Sequence, residues 1–243
     1  MSSTPATKRV AIIGGGILGV STAVHLLRDG AFVTLLSEHG LASEATGRSL
    51  SWLNSAGERS TPYHQLRVAG VDRYRTLFAA DPGRDWLQFG GGLMWNAGGQ
   101  SAATEARHDY ETSIGYNSKL LAPVQISATT PGIDPDAVPE NAIFNPGEGW
   151  VSLPELVDFL MEEFHALGGE LVLNAGKVSV TVDAGRATGV ETASGDTYEA
   201  DAVLVACGAA TPAVVAPLGV DIPNGSPVSM LVLTKPVDHE LKA

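Results

Sequence analysis

Three glycines near the start of the chain, Gly14, Gly16 and Gly19, stand at the spacing G-x-G-x-x-G. Glycines at this spacing allow a tight turn and a close approach of the backbone to the pyrophosphate of a dinucleotide. Glu38 follows about 20 residues after the motif, where an acidic residue accepts hydrogen bonds from the adenosine ribose. Its charge would repel the 2'-phosphate of NADP. These four residues predict a dinucleotide site that disfavours NADP.

The residues around the glycines have the pattern of a strand, a helix and a second strand. Residues 10–13 are a short β-branched apolar run, which is typical of a strand buried in a parallel sheet. Apolar residues recur at helical spacing over 17–27, and Asp29 with Gly30 ends that pattern before the apolar run 32–36. The motif therefore lies between a strand and a helix, where the N-terminus of the helix offers free N–H groups to an anion.

The later part of the chain continues with helices and strands. The segment 41–60 is long, small and polar, which favours a ligand-binding loop over the direct third strand of a simple NAD domain. A helix is predicted over 62–78. Ser152 and Glu155 form a capping box before a second helix, whose apolar stripe consists of Leu156, Leu160, Phe164 and Leu167. Strands are predicted at 170–173, 178–182 and 202–206, with a hairpin across 193–197.

Composition limits the class of function. The chain has 243 residues with 15 Lys and Arg against 27 Asp and Glu, a net charge of -12, which disfavours nucleic acids and anionic membranes as partners. The six histidines show no metal-binding spacing. Cys207 is the single cysteine, and we interpret it as a packing residue rather than a nucleophile. The N-terminal apolar run is interrupted by glycines and is too short to span a membrane, so we expect a cytoplasmic protein. We expect no bound metal, because the histidines lack the spacing of a metal site.

The chain resembles a family, the FAD-dependent amino acid and amine oxidoreductases that include D-amino acid oxidase, glycine oxidase and sarcosine oxidase. The resemblance covers nearly the whole chain and rests on Glu38 and on the segments "VAIIGGGILGVSTAVHLL", "SEATGRSLSWLN", "GGLMW", "GEGWVSLPELVDFL", "GKVSV" and "ADAVLVACGAAT". It implies that FAD is the cofactor. The cofactor-binding residues that it implies are Gly14, Gly16, Ile17, Leu18, Gly19, Glu38, Ala45, Thr46, Arg48, Ser49, Val178, Ala206, Cys207 and Gly208.

The same resemblance implies an α/β fold with an α+β insertion. A Rossmann-like FAD-binding domain over 1–85 and 149–222 would carry an inserted, incomplete antiparallel-sheet substrate domain over 86–148 and 223–243. Trp52 and Asn54 are expected at the rim of the substrate domain. The aromatic residues near its start are interpreted as core, because alternation in a half-buried strand accounts for them without a ligand.

The function implied by the resemblance is oxidation of the C–N bond of an amino acid or a secondary amine, by hydride transfer to the flavin. No side chain is identified as catalytic. The alternatives are a non-catalytic FAD-binding fragment or subunit of a split oxidoreductase, and an NAD-dependent dehydrogenase. Members of the family continue beyond the equivalent of Ala243, so we expect a partner that supplies the remainder or self-association through a strand at 230–234.

Overall fold

The computed structural model describes residues 8–225, 231–232 and 235, and they form two compact units. The first unit holds the described residues of Met1–Ser49 and Leu153–Leu231, and the second holds those of Leu50–Ser152 and Val232–Ala243. Residues 50–85, which we assign from the sequence to the cofactor-binding part, therefore lie in the second unit.

The structure has strands and helices in alternation along most of its length. In chain order they are β1 (Arg9–Ile13), α1 (Ile17–Arg28), β2 (Phe32–Leu36), β3 (Trp52–Leu53), α2 (Thr61–Ala80), β4 (Leu87–Gln88), β5 (Gly92–Trp95), α3 (Ser101–Ser113), β6 (Lys119–Leu121), α4 (Pro123–Thr129), β7 (Ala142–Asn145), β8 (Gly149–Val151), α5 (Leu153–Ala166), β9 (Glu170–Val172), β10 (Ser179–Asp183), β11 (Arg186–Glu191), β12 (Thr197–Glu199), β13 (Ala202–Val205) and α6 (Thr211–Val215). Short 3-10 helices cover Ala45–Arg48, Pro135–Ala137, Gly208–Ala210 and Ala216–Leu218.

A parallel four-stranded sheet in the order β13, β1, β2, β9 forms the centre of the first unit. Helices α1 and α5 pack on one of its faces, because both have an apolar side that meets alternate residues of β1 and β2. Phe164 is fully buried at this interface. The predicted strand, helix and strand around the glycines are confirmed. Leu167 was expected in the buried stripe of α5, but it follows the last helical residue and is 43% exposed.

The antiparallel strands β10, β11 and β12 pack on the other face of this sheet. Ala11 and Ile13 point towards them, whereas Ile12 points towards the helices, as the period of two in a strand requires. The hairpin predicted across 193–197 joins β11 to β12. The strand predicted at 202–206 is present as β13. It is half-buried, because within the described residues it pairs with β1 alone and forms an edge of the sheet.

The second unit contains two small antiparallel sheets, ordered β3, β8, β4 and β5, β7, β6. Its apolar core gathers Ile126 of α4, Ala142 and Phe144 of β7, and neighbouring side chains. The helix predicted over 62–78 is present as α2, in which only Val71 among the described residues is buried. The sequence-based expectation of a Rossmann-like fold with a sheet-containing insertion is confirmed.

The sequence predicts a strand near the C-terminal end of the chain and no membrane-spanning segment. The strand expected at 230–234 lies largely outside the described residues; Leu231 and Val232 are described and lie in no strand. In the part of the chain that the structure describes, no helix combines the length and the apolar character needed to cross a bilayer.

Candidate functional site

The turn between β1 and α1 depends on two of its glycines for steric reasons within the chain itself. Gly14 has a φ of 126°, and a Cβ at this position would overlap the carbonyl oxygen of Ala206. A Cβ on Gly19 would overlap the carbonyl oxygen of Gly14. These two glycines therefore let the turn close and let α1 pack against the end of β1.

Gly16 has a different reason to be glycine. Its φ is -82°, which any residue can adopt, and an added Cβ would meet only the hydroxyl of Thr46, at 3.1 Å. That side chain can move by a few tenths of an ångström, so folding alone does not require glycine here. The remaining requirement is room for a ligand beside the backbone, as the dinucleotide motif predicts.

The first turn of α1 has donors available for an anion. Ile17 donates its N–H to Thr46 Oγ1 at 3.1 Å, and Val20 donates to the carbonyl of Gly16 at 3.0 Å. The N–H groups of Leu18 and Gly19 have no acceptor within the described residues. Free donors at the positive end of a helix, beside a glycine with space in front of it, fit the pyrophosphate of FAD.

Glu38 lies just beyond the end of β2, where the sequence predicts a ribose-binding carboxylate. Its carbonyl accepts a hydrogen bond from the N–H of Gly176 at 3.3 Å, which fixes the backbone, and its side chain is 49% exposed. The imidazole of His39 lies beside the carboxylate, with its Nε2 3.9 Å from Glu38 Oε1. The carboxylate is therefore reachable and free to accept hydrogen bonds from hydroxyl groups.

The segment 45–49 contributes unequally to this site. Its first four residues form a 3-10 helix, which brings the hydroxyl of Thr46 to the start of α1. Arg48 is exposed and pairs with Glu44 at 3.3 Å, so its guanidinium lies in an ion pair at the surface. Ala45 is exposed, and Ser49 follows the 3-10 helix in an extended conformation.

The residues after β13 meet the glycine turn. Ala206 donates its N–H to the carbonyl of Ile13 at 2.8 Å, and the Cys207 thiol donates to the same oxygen at 3.3 Å. Burial raises the pKa of the Cys207 thiol, which is the opposite of what an activated nucleophile needs. Gly208 has a φ of 55° and is in open space. Val178 is buried in the core cluster against which Cys207 also packs.

The family model described as FAD dependent oxidoreductase matches residues 9–243 of the chain. The chain belongs to this family. The prediction of FAD as cofactor is thereby confirmed.

Known relatives share the sequence of this chain over part of their length. L-2-hydroxyglutarate dehydrogenase of Escherichia coli O17:K52:H18 is 28% identical over 216 residues, which cover 86% of this chain and 50% of that protein. The 4-methylaminobutanoate oxidase (formaldehyde-forming) of Paenarthrobacter nicotinovorans is 26% identical over 226 residues, covering 90% of this chain and 26% of that protein. The chain thus spans half or less of the length of these relatives.

Solved structures show the same fold. The L-amino acid deaminase from Proteus vulgaris superposes with a TM-score of 0.76 at 19% identity, covering 92% of this chain and 52% of that one. Glycine oxidase from Bacillus cereus ATCC 14579 also gives 0.76, at 21% identity, covering 87% and 59%.

A buried carboxyl group in the second unit was missed by the sequence analysis. Glu148 is fully buried before β8, and its Oε1 accepts a hydrogen bond of 2.7 Å from the hydroxyl of Tyr116, which itself accepts the N–H of Ser55 at 2.9 Å. Burial raises the pKa of Glu148 to about 7. The Trp52 indole acts to lower the pKa of Glu148. Its contact does not have hydrogen-bond geometry, so Glu148 Oε2 has no hydrogen-bond partner among the described residues. The one sequence signal was a charged residue between two glycines, in "GEG".

A second buried carboxylate, Glu111 of α3, is fully paired. Its Oε1 accepts hydrogen bonds from the N–H of Gly57 at 2.8 Å and from Arg107 Nε at 2.9 Å, and its Oε2 accepts one from Asn145 at 2.9 Å. Burial acts to raise the pKa of Glu111, but these donors hold it below its usual value. Glu111 therefore carries its charge as a structural anchor. No group of acidic, histidine or cysteine side chains suited to a metal ion occurs within the described ranges.

Proposed function

We propose that this chain takes part in oxidising the C–N bond of an amino acid or a secondary amine, with FAD as the oxidant. The observation that carries the proposal is the family match over residues 9–243, which includes the glycine turn with its free helix N–H groups. Two relatives or neighbours named above act on an amino acid or a methylamino acid by their names. Bound FAD would supply the chemistry by accepting a hydride from the carbon that carries the nitrogen.

In this proposal, residues of the chain bind FAD and hold it in place. The N–H groups of Leu18 and Gly19 would bind the pyrophosphate, and Gly16 would leave room for it. Glu38 would bind the adenosine ribose. The first unit would thus hold the cofactor and the second unit the substrate. The other predicted contacts would come from Ile17, Ala45, Thr46, Arg48, Ser49, Val178, Ala206, Cys207 and Gly208.

The partner we propose is a small amine or amino acid, and the compartment is the cytoplasm. The net charge of -12 argues against nucleic acids and anionic membranes as partners, and the single cysteine fits a reducing compartment.

The test begins with the nucleotide. The purified chain is denatured and the released nucleotide is identified by mass spectrometry. We expect FAD, and NAD alone would contradict the proposal. The flavin absorbance is then followed without oxygen after addition of D-, L- and N-methyl amino acids and of 2-hydroxy acids. Bleaching by an amino acid or amine is the expected result. Bleaching by hydroxy acids alone would mean that the oxidised bond is C–O and not C–N. Bound flavin that no donor bleaches would favour the non-catalytic alternative.

A further inference from the structure

Two tryptophans lie side by side on one face of the small sheet β3, β8, β4. Trp52 and Trp150 are direct neighbours across β3 and β8, and their side chains are 40% and 42% exposed. Leu53 and Val151, the next residues of the same two strands, are buried. The alternation of a strand therefore places both indoles on the outer face. Exposed aromatic pairs are uncommon, so the orientation of each indole matters for what this surface can contact.

The N–H edge of the Trp52 indole lies next to the buried carboxyl of Glu148. A Cβ added to Gly92 would overlap Glu148 Oε2 and would lie 3.2 Å from both Nε1 and Cζ2 of Trp52. The carboxyl oxygen and the indole N–H therefore border the same small space beside Gly92. Oε2 is buried and has no hydrogen-bond partner among the described residues. Because Trp52 is partly exposed, its indole can turn to form or to leave a hydrogen bond with this oxygen.

Tyr116 determines which oxygen of Glu148 can take a proton. Its hydroxyl oxygen accepts the N–H of Ser55 at 2.9 Å, and its one proton is donated to Glu148 Oε1 at 2.7 Å. The proton of the neutral carboxyl is therefore left to Oε2. In that form an O–H group and the N–H of Trp52 face each other as two donors without an acceptor. The ionised carboxylate instead offers Oε2 as a charged acceptor for the indole N–H.

The charged groups around Glu148 lie on two helices. On α3, Glu111 and Arg107 form an ion pair of 2.9 Å. Burial is the main cause that raises the pKa of Glu148 to about 7, while the charge of Glu111 raises it further and that of Arg107 lowers it. On α2, Arg75 donates to the carbonyl of Gly147, next to Glu148 in the chain. The carboxyl can therefore change its charge near neutral pH without losing the groups that surround it.

We propose that Glu148 is a positioning residue for the Trp52 indole and that its hold on the indole depends on the proton at Oε2. When the carboxyl is ionised, Oε2 accepts the indole N–H and fixes the ring. When Oε2 is protonated, the ring turns away and its N–H bonds to water. The exposed aromatic face formed by Trp52 and Trp150 therefore has two arrangements that one proton interchanges. The inference concerns the second unit alone and does not depend on the proposed function.

The experiment follows the indole N–H signals of the purified chain by proton–nitrogen correlation NMR between pH 5 and pH 8. Trp52→Phe identifies the Trp52 signal, which is the one that disappears. In the wild type this signal should move to lower field as the pH rises, with a midpoint at about pH 7, because the N–H enters a hydrogen bond with a charged acceptor. Glu148→Gln should abolish the shift, since the glutamine amide does not titrate. Tyr116→Phe should raise the midpoint, because the carboxylate loses the O–H donor that favours its ionised form.

Glu58→Gln and His64→Gln are the matched controls. Glu58 is an exposed glutamate of the same unit, and His64 is a titratable side chain whose ring packs edge-on against Tyr116, with the ring centroids 5.8 Å apart. Both variants should keep the shift of the Trp52 signal and its midpoint.

Three results would overturn the proposal. They are a Trp52 signal that stays constant in the folded wild type, an equal shift in Glu148→Gln, and loss of the shift in His64→Gln. A midpoint in Tyr116→Phe at or below that of the wild type would do the same, and this measurement does not rely on the fold of Glu148→Gln. FAD content and flavin bleaching play no part in the readout, so a failure of the proposed function is seen separately.

Discussion

Replacing Glu148 by glutamine should remove a pH dependence of stability that the wild-type chain carries. The folded pKa of Glu148 is about 7 against an ordinary value of 4.5, because the carboxyl is fully buried. The folded state therefore keeps the proton over a range in which the unfolded state has lost it. The stabilisation is complete below about pH 4.5 and is lost as the pH rises through 7. A difference of about 2.5 units corresponds to about 3 kcal/mol.

The assay is urea unfolding at pH 5 and pH 8, followed by tryptophan fluorescence, since Trp52 lies beside Glu148. The wild type should lose about 2–3 kcal/mol more than Glu148→Gln between these pH values, because the other titrating groups are common to both and cancel. Glutamine keeps the carbonyl oxygen that accepts from Tyr116. Glu58→Gln is the control, as it removes an exposed carboxylate of the same unit and should behave as the wild type. Parallel loss of stability in the wild type and Glu148→Gln would refute the reasoning.

Three further substitutions test the glycine turn and its surroundings. Gly19→Ala should abolish FAD binding and lower the melting temperature, because the added methyl overlaps the carbonyl of Gly14. Glu38→Arg should weaken FAD binding by about 1–3 kcal/mol in a fluorescence titration, the range for hydrogen bonds to a charged group. Thr46→Val should cost about 1 kcal/mol in urea unfolding, since the N–H of Ile17 loses its acceptor.

Gly19→Ala has a matched control, and the other two substitutions have an outcome that would contradict the prediction. Gly70→Ala adds the same methyl within α2, where nothing lies within 4 Å, and should leave FAD binding and stability intact or improved. Unchanged FAD affinity in Glu38→Arg would make Glu38 a surface residue with no part in the site. Wild-type stability in Thr46→Val would mean that water replaces the hydroxyl at Ile17.

The elements next to the glycine motif were predictable because their signals are local. A β-branched run, a motif of fixed spacing and an apolar helical face specify β1, the turn and α1 within 20 residues of chain. The half-burial of β13 was not predictable in this way, since an apolar run looks alike in a central strand and in an edge strand. Leu167 was misplaced because its periodicity continues beyond the last helical residue.

The buried polar contacts of the second unit could not be predicted from the sequence for a different reason. Glu148, Tyr116 and Ser55 lie far apart along the chain and meet only through tertiary packing. The same holds for Glu111 and Gly57. Residue type alone favours a solvated glutamate at each position, because glutamate is rarely buried without a partner.

The strand order of the central sheet also bears on how the chain is made. β2 borders β1 on one side and β9 on the other, and the Leu50–Ser152 part of the second unit is encoded between β2 and β9. A ribosome adding about 5–20 residues per second needs on the order of ten seconds to pass from β2 to β9. During that interval the free edge of β2 has no neighbour, while residues 50–152 of the second unit are being synthesised and can begin to fold. The nascent chain should therefore engage chaperones that shield exposed strands, and mutations that slow folding of the second unit should lower yield before they lower stability.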